Sequence, residues 1–186
     1  MGQYYKIVTK TSDGKLTVND RNIKGDGSYV MAKLLEHSWW DNRVCKALAA
    51  SIVDKPTQVC WCGDYAKEDE CQALGFSYGR VWDEDIDEPI DPAPDGFSLD
   101  DYAYLVNHDK KQFVDLKKYK EASSDKDGWC IFPVSILTAL GNGRGGGDYH
   151  KEDPLVGSWA FNSIEITNDK DKIKDLEEIE PVFTDD

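Results

Sequence analysis

Residues 141–150, GNGRGGGDYH, are the part of this chain whose residue types and spacing best suit chemistry. Gly141, Gly143 and Gly146 satisfy the G-x-G-x-x-G spacing, in which a strand-to-helix turn lets backbone N–H groups receive a pyrophosphate. That chemistry needs a helix directly after the glycines, and Asp148, Tyr149, His150 and the acids leading to Pro154 do not start one. The Lys-Ser/Thr pair of a phosphate-binding P-loop is also missing. What remains is a backbone able to take left-handed angles, Arg144 as a planar fork for an anion, and Asp148 or His150 as an acid or base. With Asp64 and Tyr65, these residues and Tyr149 form the candidate ligand-binding or partner-binding set. The plainer reading is a flexible connection between packed elements.

Other constellations carry less. Residues 75–79, GFSYG, match the nucleophile elbow around Ser77, but that elbow needs a buried strand before it and a helix after it. The flanks here are KEDECQ and VWDEDIDEP, which fit neither. A basic partner for Ser77 would have to be His37, His108 or His150, and the first two read as structural or solvent-facing. Asp83, Asp85 and Asp87 alternate like calcium ligands, yet Glu88 and Pro94 stand where an EF-hand needs Gly and Glu. Cys60, Cys62 and Cys71, with Cys45 or His37, invite a zinc reading, but the C-x2-C knuckle is absent. If residues 60–62 form a strand, both thiols point to one face, and the expectation is five reduced, buried cysteines with Cys130. No metal or other cofactor is expected.

Charge sorts the chain further. The net charge of −14 is concentrated: residues 83–101 hold nine acids and no base, and residues 165–186 hold nine acids against three lysines. The rest has 18 acids and 19 bases, so the body is nearly neutral. Direct nucleic-acid binding is not expected, because phosphate contacts need clustered Lys and Arg. Lys110, Lys111, Lys117, Lys118 and Lys120 form a short basic cluster that reads as a solvated hairpin and the turn after it. No run approaches the ~18 apolar residues of a membrane span, and Lys6 breaks the myristoylation pattern opened by Gly2. A cytoplasmic globular protein without a membrane partner is the expectation.

Five phrases occur together: MGQYYKIV, CWCGDYA, YLVNHDKKQFVDL, GNGRGGGDY and VGSWAFNSIEI. Jointly the chain resembles a family of small proteins that open with Met-Gly-Gln-Tyr-Tyr and carry a Trp-Ala-Gly-Asp element, sometimes twice. It departs at Cys62, where the family tends to have Ala, and at Phe161-Asn162, where a second copy would have Gly-Asp. The resemblance implies a recurrent domain and transfers no catalytic residue, since no activity is established for the family. It also suggests that residues 61–64 and 159–162 are equivalent strand ends of a pseudo-repeat.

The elements that must position these residues follow from periodicity. The 186 residues are 40% hydrophobic and 11% aromatic, enough for one packed core at a size where roughly 70% of the unfolded surface is buried. Residues 3–9 and 15–18 flank Ser12-Asp13-Gly14 and predict a β-hairpin. Residues 29–40 approximate a helical stripe behind an Asp26-Gly27-Ser28 cap, and Asp41 can cap a second helix ending before Pro56. Residues 57–62 read as a buried strand, and 67–96, with Pro89, Pro92 and Pro94, as a long loop. Residues 102–108 and 112–116 form a second hairpin candidate, and 129–140 a strand followed by a short helix. Residues 157–167 read as a strand with a bulge near Asn162, and Ile173, Leu176 and Ile179 suit a short helix before Pro181.

The expected fold is α+β, a mostly antiparallel sheet with a helical hairpin packed on one face. Residues 1–168 form a single globular domain with an acidic loop at about 83–101, and residues 169–186 an acidic C-terminal tail. The leading functional expectation is a non-enzymatic acidic interaction module, an inhibitor or immunity-type protein that presents Asp83, Glu84, Asp85, Asp87 and Glu88 to a basic protein partner. The alternative is a small-ligand-binding protein or hydrolase-type enzyme using residues 141–150.

Overall fold

A computed structural model describes residues 2–20, 22–25, 33–84 and 88–184. Strands β1 (Tyr5–Lys10) and β2 (Leu16–Asn19) pair antiparallel from Ile7↔Asn19 to Lys10↔Leu16, as the turn residues between them predict. Strand β3 (Thr57–Gly63) then lies antiparallel to β1, from Tyr5↔Gly63 to Lys10↔Gln58. Its other edge is shared. Residues 57–59 pair with β7 (Asn162–Thr167), and Trp61 and Cys62 pair in parallel with the short β6 (Ala139–Leu140). Strands β4 (Tyr104–Asn107) and β5 (Gln112–Asp115) form the second predicted hairpin, and β4 continues the sheet from β7. With β8 (Glu177–Glu178) at the far edge the order is β2-β1-β3-β7-β4-β5-β8, an eight-stranded and largely antiparallel sheet when β6 is included.

Both faces of this sheet are covered. Tyr5, Ile7, Val59 and Trp61 point into the larger core, where helix α1 (Arg43–Ser51) contributes Val44, Cys45, Leu48 and Ala49. Val8, Cys60 and Cys62 point the other way, into a smaller cluster with Cys71, Phe76, Val81 and Phe161. This period-2 division explains the unbroken apolar run of β3, because neither face meets water. Cys71 and Val81 come from two short helices, α2 (Glu68–Ala73) and α3 (Tyr78–Trp82), in the stretch expected to be a long loop. The second cluster supplies the burial that holds elements too short to be stable alone. All five cysteines are free and buried, with Cys60 and Cys62 on one face as expected.

A helical hairpin packed on one face is not found among the described residues. Residues 33–40, the described part of its first helix, run through turns, and Trp39 makes an isolated antiparallel bridge to Ile131. Residues 26–32, with the Asp26-Gly27-Ser28 cap, lie outside the described residues. The cap of α1 is Asn42, not Asp41: its side-chain oxygen accepts from the Val44 N–H at 2.9 Å. Helix α4 (Leu116–Ser123) occupies part of the lysine cluster read as a turn, and Asp115 caps it by accepting from the Lys117 and Lys118 N–H groups. Helix α5 (Pro133–Leu137) starts at the proline, where a missing N–H costs nothing. Residues 157–161 form turns, so the parity change near Asn162 marks the start of β7, with Phe161 at φ +58°.

The acidic segments are built into the sheet borders. Along β2, the Glu88 N–H donates to the Val18 carbonyl at 2.8 Å and the Ile90 N–H to the Asn22 carbonyl at 3.0 Å. At the opposite border β8 (Glu177–Glu178) pairs in parallel with β5. The short helix expected over residues 173–179 is not formed: a 3-10 turn ends at Ile173, residues 174–176 turn, and residues 177–178 extend as β8 to reach β5. Phe183 is fully buried, 6.1 Å from the Tyr119 ring and 5.5 Å from the Tyr149 ring, and its N–H donates to Ser123 Oγ. Phe183→Ala is therefore expected to destabilise the protein by about 3 kcal/mol in urea unfolding; a change under about 0.5 kcal/mol would mean that residues 179–184 contribute no packing.

Candidate functional site

The glycine loop is tied to the N-terminus and to the end of β3. The Gln3 N–H donates to the Gly146 carbonyl at 2.9 Å, and Gly2 and Gly146 form a parallel bridge. Tyr4 and Asp64 bond reciprocally: the Asp64 N–H donates to the Tyr4 carbonyl at 2.8 Å and the Tyr4 N–H to Asp64 Oδ1 at 3.1 Å. Glycine is required where these segments meet. A Cβ on Gly145 would lie 2.5 Å from Gln3 Cβ, and Gly141, at φ +86°, would place one 2.8 Å from the Ala66 nitrogen.

Asp148 is the centre of the loop. It is fully buried, and its Oδ2 accepts from the Arg144 and Gly145 N–H groups, both at 2.9 Å. Its Oδ1 accepts from the Tyr5 hydroxyl at 2.8 Å. Burial, and then the Asp148 carboxylate, push the Tyr5 phenol far above its ordinary value, so it stays a protonated donor. Asn142 closes the same loop by exchanging two bonds with the Tyr149 backbone, at 2.8 and 2.9 Å. The loop is stapled, not free.

Arg144 is also committed. Its guanidinium forms a two-pronged ion pair with Glu70 and donates to the Tyr65 carbonyl at 2.9 Å. The Arg144 hydrogen bond holds the Glu70 carboxyl down at about 2, against an ordinary 4.5. Asp64 differs: burial raises its carboxyl despite the Tyr4 N–H, and the Tyr78 hydroxyl donates to its carbonyl at 2.7 Å. Gln3 is fully buried here, with both amide heteroatoms lacking a hydrogen-bond partner among the described residues.

Asp64, Tyr65, Arg144 and Asp148 thus come together, while the other two predicted residues diverge. Tyr149 is buried beside Phe183, and His150 is exposed. Ser77 caps α3, its Oγ accepting from the Arg80 N–H, and α2 precedes it where an elbow needs a strand. Trp61 sits within β3 and Trp159 in the turns before β7, so the two tryptophan pieces are not equivalent strand ends. Among the described residues no group of three or more His, Cys, Asp or Glu is placed to hold a metal ion, and no helix is long and apolar enough to cross a membrane.

Sequence reasoning missed two features. Glu165 on β7 is fully buried and binds His108 Nε2 and Lys172 Nζ, both at 3.0 Å, and Lys172 also reaches Asp54 at 2.9 Å. The only sequence signal was an acid among alternating isoleucines. Second, a cleft of about 600 Å³ opens between residues 99–103 and α4, floored by Trp40, Leu99, Tyr102 and Leu116. Asp100 spans its edge, accepting from Trp40 Nε1 at 3.1 Å and Lys120 Nζ at 2.6 Å. No family model, curated protein or solved structure matches this chain.

Two outcomes follow from the loop. Asp148→Ala strands two backbone donors and a buried phenol, so a loss of about 3 kcal/mol is expected in urea unfolding; wild-type stability would show that the carboxylate does not hold the loop. Because Glu70 is depressed in the folded state, its stabilising contribution is complete above its ordinary 4.5 and is lost as pH falls from there toward about 2. Glu70→Gln is expected to flatten the stability profile over that window in acid titrations of the melting temperature.

Proposed function

We propose that this protein is a non-enzymatic acidic interaction module, an inhibitor or immunity-type protein that engages a basic protein partner. The observation that carries the reading is a set of exposed acids in residues 83–95 without lysine partners among the described residues. Glu88 is bonded to β2 at Val18 and Ile90 to Asn22 just beyond it; among the described acids of residues 83–101, Glu88, Asp91 and Asp100 pair with lysines, Lys15 at 2.7 Å, Lys24 at 3.5 Å and Lys120 at 2.6 Å. Asp83, Glu84 and Asp95 are exposed and make no ion pair among the described residues. Asp85 and Asp87 lie outside the described residues. Exposed acids without a cationic neighbour present a negative field, which raises association rates with a basic surface and orients it. The commitment of Arg144 and Asp148 to internal bonds supports the same reading over a reaction at the glycine loop.

The cleft beside α4 favours a second reading, a small-ligand site, because its volume lies in the range of ligand pockets and its floor is apolar and aromatic. The test of the first reading is partner capture on the immobilised protein, then association kinetics over a range of salt. The on-rate is expected to fall about tenfold or more from low to high salt. Combined Asp83→Asn, Glu84→Gln and Asp95→Asn substitutions should slow association and leave dissociation little changed. An on-rate indifferent to ionic strength would sink the proposal.

A further inference from the structure

Trp129 is 58% exposed, the most exposed large hydrophobic side chain among the described residues. Its loop is rigid. The Asp125 N–H donates to the Trp129 carbonyl at 2.8 Å, and Asp125 Oδ1 accepts from the Asp127 and Trp129 N–H groups at 2.9 and 2.7 Å. The base of the loop is pinned as well, by the Trp40 N–H to the Cys130 carbonyl at 2.8 Å and the Phe132 N–H to the Ser38 carbonyl at 2.7 Å. Trp39 backs the indole edge-on, with ring centroids 5.3 Å apart, and His37 stacks on Trp39 at 6.3 Å. The fold therefore holds a large aromatic surface in water in one orientation, with the ordering cost already met.

We propose that Trp129, backed by Trp39 and flanked by Asp125 and Asp127, is the docking point for an arginine side chain of the basic partner. This rests on the interaction reading above and names its contact. Asp125 and Asp127 are exposed and make no ion pair among the described residues; Asp125 is partly satisfied by two backbone N–H groups, but a purely apolar partner would bury the Asp127 carboxylate without compensation. A guanidinium satisfies both demands: its plane stacks on the indole face while its edge donates to a carboxylate. An ammonium offers charge without the plane, so arginine is preferred to lysine.

The probes are labelled hexa-arginine and hexa-lysine peptides, titrated against the full chain at physiological ionic strength by fluorescence anisotropy, with acrylamide quenching of indole emission alongside. Hexa-arginine is expected to bind about threefold or more tighter than hexa-lysine and to shield an indole from quenching. Trp129→Ala should abolish both the preference and the shielding, and Trp129→Phe should retain part of the preference. The residue is exposed, so neither change should unfold the protein. Equal binding by wild type and Trp129→Ala overturns the inference, as does failure of hexa-arginine to bind. If Trp129→Ala is silent while the Asp83, Glu84 and Asp95 substitutions weaken both peptides equally, the acidic-module reading stands without this contact. If only Trp129 matters, the contact stands and the acidic border loses its role.

Discussion

Strand β3 is hydrogen-bonded along both edges and covered on both faces, and the remaining elements take their places from that double demand. β1 satisfies one edge, while β7 and β6 divide the other. The larger core forms where Val59 and Trp61 meet α1 and α5, and the smaller one where Cys60 and Cys62 meet α2 and α3. A strand with no solvated side cannot tolerate a register slip, because one residue of shift would exchange the two cores. Its end also fixes Asp64 against Tyr4, and through the N-terminal residues it fixes the glycine loop.

Buried charge obeys the same economy of position. Asp148 sits among two backbone N–H groups and a phenol, and Glu165 between an imidazole and an ammonium. Each carboxylate joins segments far apart in the chain, so each is spent on holding the fold. Cys62 shows the complementary case: its sulfur lies 4.0 Å from that of Cys71, and this contact and burial push its thiol well up, toward the unreactive form. Surface groups are what remain free to meet a partner.

The placement of acids has a second consequence. Residues 88–91 lie beside β2 and just beyond it, and residues 177–178 border β5, so acids line both outer flanks of the sheet, with Glu88, Asp91 and Glu178 each paired with a lysine. Charged borders discourage edge-to-edge pairing between copies. The exposed indole of Trp129 lies apart from these borders, on the loop between α4 and α5.

Both hairpins, the buried strand β3 and the helix before Pro56 were legible because they rest on local rules: turn glycines, side-chain period and a proline stop. Reduced, buried cysteines were legible from their number and spacing. The short helices α2 and α3 were not, since their stability comes from Cys71, Phe76 and Val81 packing under the sheet rather than from any long apolar stripe. Of the candidate site, the sequence alone determined which residues had the chemistry, Asp64, Tyr65, Arg144 and Asp148 among them. Only the tertiary structure decided their employment, because a carboxylate or guanidinium is free or spent according to the donors and acceptors that distant segments bring to it, and Tyr5, Glu70 and the Tyr65 carbonyl reach this loop through the sheet.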